Sequence, residues 1–131
     1  MNHEHPNISI LEKFNPADIA SAAEIVADDA IFHYYNPELP DMEGDYIGFE
    51  GFQAFFNKIS ELTQGTFQVH PQSISTWGDE FVVTYTKNTM VLPDKEIETD
   101  VVVVWRILDG KIREVWDIPG VHTAKVKTLN T

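Results

Sequence analysis

Cysteine is absent from this sequence, so no disulfide framework, thiolate nucleophile or sulfur-ligated metal site can be built from it. Basic residues are scarce: 9 Lys and Arg stand against 21 Asp and Glu, a formal net charge of −12. A surface of that sign has no footprint for a phosphate backbone or an anionic bilayer, which argues against nucleic-acid and membrane partners. An anionic substrate would also approach against the field. No apolar run reaches membrane-spanning length, and the N-terminal MNHEHPN lacks the basic and long apolar regions of a signal peptide. With the lack of cysteine, this points to a cytoplasmic protein. Repeats, low-complexity tracts and linkers are missing, as are GxSxG, P-loop and GxGxxG motifs. His33, His70 and His122 have no metal-ligand spacing, and His3 and His5 read as a frayed polar tail, so neither a metal nor a cofactor is expected.

What is present is an ordinary globular composition. Hydrophobic residues make up 43% and charged residues 23% of 131 positions, enough for one core and one domain, residues 1–131 with a core over about 9–122.

The most informative stretch is Asp100–Gly120, DVVVVWRILDGKIREVWDIPG. Two Val-, Ile- and Trp-rich runs flank Asp109-Gly110, a strong hairpin signal. Both faces of the first run are apolar, Val101, Val103, Trp105 and Ile107 on one and Val102 and Val104 on the other, which places the hairpin inside a sheet covered on both sides. Two registers are open. A two-residue turn sets Val102 opposite Asp117 and Arg106 opposite Arg113, an unfavourable like-charge pair. A three-residue bulged loop sets Val101 opposite Asp117, Val103 opposite Val115 and Trp105 opposite Arg113, and is favoured on that ground. Either way Asp117 is a carboxylate among valines.

Upstream, Ser9 with Glu12 has capping-box spacing for a short helical turn, and Asn15-Pro16 opens a second helix that should end by Asp28 or Asp29. Ala30–Tyr35 reads as a strand with Ile31, His33 and Tyr35 on one face and Phe32 and Tyr34 on the other. Residues 36–48 read as a loop with turns. Phe49–Leu62 is an amphipathic helix with Phe52, Phe55, Phe56, Ile59 and Leu62 at helical spacing. Phe67–Trp77, interrupted by Pro71, and Glu80–Leu92 are further strands, and the tail after His122 reads as loose. The sum is an α+β domain, helices first and then four or five antiparallel strands, a shape that can enclose a pocket.

The order helix, AIFHYYNP strand, GDYIGFEGFQAFF and final VVVVWRILDGKIREVWDIPG hairpin resembles the SnoaL-like, ketosteroid isomerase-like branch of the nuclear-transport-factor-2-like superfamily, over about Asn15 to Val121. The resemblance implies a cone-shaped curved antiparallel sheet with N-terminal helices packed on its concave face. It does not by itself imply one chemistry. Ketosteroid isomerase needs an Asp base, a Tyr and a protonated Asp. Here the base's place falls to His33 or Tyr34, the oxyanion Asp aligns with Val103, and the first helices hold no Tyr, so that mechanism is not expected. The family's cyclases imply a cofactor-free acid/base Asp, and Asp117 lies near where one would sit.

The candidate catalytic pair is therefore His33 and Asp117, with Tyr35, Phe55, Tyr85, Val103 and Trp105 as the wall of a site for an apolar carbonyl-containing molecule. The plainer alternatives are a hydrogen-bonded wall histidine for His33, and for Asp117 a surface carboxylate or a salt bridge to Arg113. A non-catalytic binding or dimerisation module competes with the isomerase or cyclase reading. A homodimer through the outer sheet face is expected, because helices cover only one face and Val102, Val104 and Trp116 would otherwise be exposed.

Overall fold

The computed structural model describes residues 5–129. Two α-helices, α1 (Pro6–Glu12) and α2 (Gly48–Leu62), and two 3-10 helices, Pro16–Ala22 and Pro40–Met42, accompany seven strands. These are β1 (Val26–Tyr34), β2 (Gly44–Ile47), β3 (Gln68–Trp77), β4 (Phe81–Val91), β5 (Lys95–Leu108), β6 (Lys111–Pro119) and β7 (Lys125–Thr128). They form one curved sheet in the order β2-β1-β6-β5-β4-β3, with β7 added to β5. The sheet is mixed rather than antiparallel, because β1 runs parallel to β6.

The core lies between the concave face and α2. Phe52, Phe55, Phe56 and Ile59 of α2 are buried and meet Phe32 of β1, with the Phe32 and Phe55 rings 4.6 Å apart. Phe14 turns edge-on to Phe56 at 5.6 Å and to Trp105 at 5.1 Å. Such ring pairs add about 1 kcal/mol each to the burial of the side chains themselves. Two glycines set how closely α2 approaches β1 and β2. Gly48 has φ +69, and a Cβ there would stand 2.6 Å from the Asp28 carbonyl oxygen; one on Gly51 would stand 2.7 Å from the Tyr46 backbone.

The chain ends and connections depart from the sequence reading. Helix α1 starts at Pro6 and is capped not by Ser9 but by His5, whose Nδ1 accepts from the Asn7 N–H at 3.1 Å. His5 is thus tied down, while His3 lies outside the described residues. Buried Asn7 donates to the carbonyls of Asp79 and Ile107, 3.1 Å each, fastening α1 to the β3–β4 turn and to the end of β5. Asn15 caps as expected, accepting from Ala17 at 2.9 Å, but the segment is 3-10 and stops at Ala22. Asp18, at φ −142 and ψ 67, interrupts it. Val26, Ala27 and Ala30 sink into the core, which makes Asp28 and Asp29 the exposed part of a strand irregularity, not a helix end. Gly44–Ile47 is a strand rather than loop, paired with β1 through Tyr34–Gly44 and Ile31–Ile47. The tail is not loose: β7 pairs with the first residues of β5, from Glu98–Lys125 to Lys95–Thr128.

The long hairpin takes neither register whole. Asp109 (φ 54) and Gly110 (φ 74) are both left-handed, the two-residue turn that suits strand twist, with Leu108 opposite Lys111 and Ile107 opposite Ile112. The favoured three-residue loop is not formed. Arg113 is then the extra residue of a bulge, and beyond it Arg106 faces Glu114, Trp105 faces Val115 and Val103 faces Asp117. The bulge removes the Arg106–Arg113 clash that counted against the short turn, since Arg106 now ion-pairs with Glu114 and Glu80.

Candidate active site

Period two along each strand decides what enters the cone. Phe32 and Tyr34 of β1, Thr84, Thr86, Asn88 and Met90 of β4, Thr99, Val101, Val103 and Trp105 of β5, and Asp117 of β6 share the concave face, roofed by Phe55, Phe56 and Ile59 of α2. They line a cavity of about 460 Å³, the size of a small-molecule site. Its walls are mainly aromatic and aliphatic. Trp105 is held by its Nε1–H, which donates to Thr84 Oγ1 at 3.0 Å.

Asp117 is the ionisable group that stands out here. Burial raises its pKa from 3.8 to about 7, because a half-buried carboxylate facing apolar walls with no counter-charge is poorly solvated. No hydrogen-bond donor or cation reaches it among the described residues. Arg113, a possible partner from the sequence, donates instead to the Leu108 carbonyl at 3.2 Å. Tyr34 is the β1 neighbour of Asp117 in the parallel ladder. Burial first, and then the nearby Asp117 charge, push the Tyr34 phenol up beyond its ordinary value, so its proton is retained. Asn36 Nδ2 donates to the Tyr34 hydroxyl at 3.2 Å and leaves its O–H free to point elsewhere.

Of the residues picked from the sequence, Phe55, Val103, Trp105 and Asp117 line the cavity, and His33, Tyr35 and Tyr85 do not. The cause is strand alternation: Phe32 and Tyr34 face in, so His33 and Tyr35 face out, and Tyr35 is 62% exposed. Tyr85 lies on the outer side of β4, where its hydroxyl donates to Asp100 Oδ1 at 2.8 Å. His33 bridges two carboxylates, Nδ1 to Asp45 at 2.8 Å and Nε2 to Glu114 at 2.7 Å, and stacks on Trp116 with centroids 5.6 Å apart. Burial lowers its pKa, but the bonds to Glu114 and Asp45 and their charges outweigh this and raise it. His33 and Asp117 thus lie on adjacent strands but opposite faces, and do not form one acid/base pair.

Sequence reasoning passed over Tyr34 as a donor and the polar strip Thr86, Asn88 and Thr99. The signal for Tyr34 was available: whichever face of β1 carries Phe32 must face the core. Nothing in the sequence singled out the strip. Among the described residues no three His, Asp or Glu side chains are grouped to hold a metal ion, and no helix is long and apolar enough to cross a membrane.

Comparison with known proteins sets this arrangement in a family. No curated protein matches the chain. Among solved structures, a Xanthomonas campestris protein of unknown function with a cystatin-like fold is 22% identical with a TM-score of 0.77, covering 86% of this chain and 89% of its own. TerC, crystallised with polyporic acid, is 21% identical with a TM-score of 0.73, over 87% and 91% of the two chains. IdmH of Streptomyces antibioticus, a candidate polyketide cyclase, is 21% identical with a TM-score of 0.68, over 91% and 95%. These likenesses bear on the fold. The SnoaL-like domain profile matches residues 9–115, from α1 into the last long strand, and this chain belongs to the SnoaL-like domain family.

Proposed function

We propose that the cone binds an apolar small molecule carrying a carbonyl, and that Asp117 moves a proton at the carbon next to that carbonyl, without a cofactor, as an isomerase or cyclase does. The observation that carries this reading is the solitary Asp117 carboxyl inside the cavity, raised to about 7, where a base is both available and strong enough near neutral pH. The ionised carboxylate takes the proton from carbon. The electron pair of the broken C–H bond moves onto the carbonyl oxygen, where the Tyr34 O–H is a suitable donor for the developing charge. Asp117, now protonated, returns the proton to another carbon in an isomerisation. In a cyclisation the enolate carbon attacks a second carbonyl instead, and Asp117 protonates the new alkoxide.

Proton exchange at carbon tests this without knowledge of the natural substrate. 2-Tetralone in deuterated buffer, followed by NMR, should exchange its acidic C–H protons faster with the protein than without it. The rate should rise with pH through about 7 and be lost in Asp117→Asn. Equal exchange by wild type and variant would remove Asp117 from the role.

A second reading, a ligand-binding or dimerisation module without turnover, is favoured by one fact: the histidine expected to complete an acid/base pair faces the opposite side of the sheet. On that side Val102 (39%), Ile118 (51%) and Tyr35 (62%) are exposed, and a second copy of the chain would cover them. Tight 2-tetralone binding with no exchange would decide for this reading.

A further inference from the structure

Three buried polar side chains sit on the cavity wall away from Asp117. Thr86, Asn88 and Thr99 are 7%, 8% and 4% exposed, and all three line the cavity. A buried amide or hydroxyl in an otherwise apolar wall costs stability unless it is hydrogen-bonded. Half of that need is met internally, because the Thr86 hydroxyl donates to Asn88 Oδ1 at 2.9 Å. That bond fixes the orientation of the amide. With Oδ1 committed to Thr86, the Nδ2 group is left with two N–H donors, and no acceptor reaches them among the described residues.

The ladder says how far this donor lies from the acid/base group. Asp117 faces Val103 and Val103 faces Thr84, so Thr84 is level with Asp117 two strands away. Asn88 is four residues further along β4, opposite Thr99. At about 3.3 Å per residue and about 4.8 Å per strand, the two backbones are roughly 16 Å apart over the sheet surface.

We infer that Asn88 is a specificity-determining residue of this cavity: its Nδ2 donates to a carbonyl or other acceptor oxygen at the end of the ligand remote from Asp117. The inference rests on the cavity being a small-molecule site. Thr86 acts as a positioning residue for Asn88, presenting the amide with its donors inward. A ligand carrying an acceptor oxygen at that end is held in one direction, and a purely hydrocarbon end leaves the amide unpaired.

A matched pair of probes tests this, 2-acetylnaphthalene and 2-ethylnaphthalene, which differ in one carbonyl oxygen. Titration calorimetry at pH 8.5 keeps Asp117 ionised, so its carboxyl supplies no O–H, and the remaining competitor, the Tyr34 O–H, is common to wild type and every Asn88 variant. Wild type should bind the acetyl compound about fivefold to tenfold more tightly. Asn88→Leu should erase the preference while retaining the ethyl compound. Asn88→Asp keeps an acceptor toward Thr86 but replaces the N–H donors with a carboxylate, ionised at pH 8.5 and repelling an acceptor oxygen, so it should lose or reverse the preference; Asn88→Ser, which introduces no charge, should lose it even if the leucine variant folds poorly. Equal binding of both probes by wild type, or a preference unchanged in Asn88→Asp, would overturn the role of Asn88 and leave the small-molecule reading standing. Binding of neither probe would overturn both.

Discussion

Tyr34 and Asp117 are opposite residues of the parallel β1–β6 pair, and both side chains enter the cavity. A retained phenol proton therefore stands beside a carboxyl that is neutral through much of the acid range. Below its unfolded pKa Asp117 is protonated in both states and costs nothing. As pH rises from about 4 to about 7 the unfolded chain gives up this proton before the folded one does, so the stability contribution is lost over that window.

Asp117→Asn should remove that loss. At pH 8 the variant should be more stable than wild type by up to about 4 kcal/mol, the cost of the shift from 3.8 to about 7. At pH 3 the two should melt together. Thermal melts across pH check this; a variant less stable at pH 8 would mean that the ionised form has a partner worth more than its burial cost.

Tyr34→Phe tests the donor. The hydroxyl leaves, the ring and its packing remain, and Asn36 loses one acceptor. Carbon exchange of 2-tetralone should fall by about tenfold to a hundredfold, with binding changed less than fivefold. Unchanged exchange would place the oxyanion elsewhere.

His33→Gln should behave as a change on the other side of the sheet. The folded pKa of His33 lies above 6.5, so its ion pairs with Asp45 and Glu114 contribute fully below 6.5 and are lost as pH rises through the folded value. The variant should be about 1 kcal/mol less stable at pH 5.5, with the gap closing above neutrality. Probe affinity in the cavity should not move.

Val102→Glu places a charge in the exposed apolar part of the outer face. If two copies pair there, light scattering should show wild type at twice 14.9 kDa and the variant as a monomer, with cavity binding retained. A monomeric wild type at micromolar concentration ends the dimer proposal.

Much of the fold was legible because it rests on local patterns. The period of Phe52, Phe55, Phe56 and Ile59 predicts α2 to within one residue of its start at Gly48, and Asp109-Gly110 predicts where the hairpin turns but not its length, since the three-residue loop was favoured over the two-residue turn that forms. Val26 to Asp29 was misread because Val26 continues the helical spacing of Ile19, Ala22 and Ala23, whereas burial of Val26 and Ala27 and pairing with β6 make the segment a strand. The β7 strand was invisible for a similar reason. Its KVKT residues are all exposed, and only the free stretch of β5 beside them makes them a strand. The site divided along the same line: Asp117 was found from its odd company, but which neighbours join it depended on sheet faces. His33, the more chemically suggestive residue, has the wrong parity.

The extra residue at Arg113 has an outcome larger than its size. Had the Asp109-Gly110 turn run on without it, Asp117 would face Val102, which lies on the outer surface, and Trp116 and Ile118 would fill the cone. One inserted position after Ile112 exchanges the occupants of the two faces from Glu114 onward. In evolutionary terms, a single-codon insertion or deletion here is enough to give this scaffold an acidic interior or to take it away, with the strand itself and its hydrogen-bonding capacity kept. Relatives that share the cone but differ by one residue in this hairpin are the ones to compare for gain and loss of chemistry.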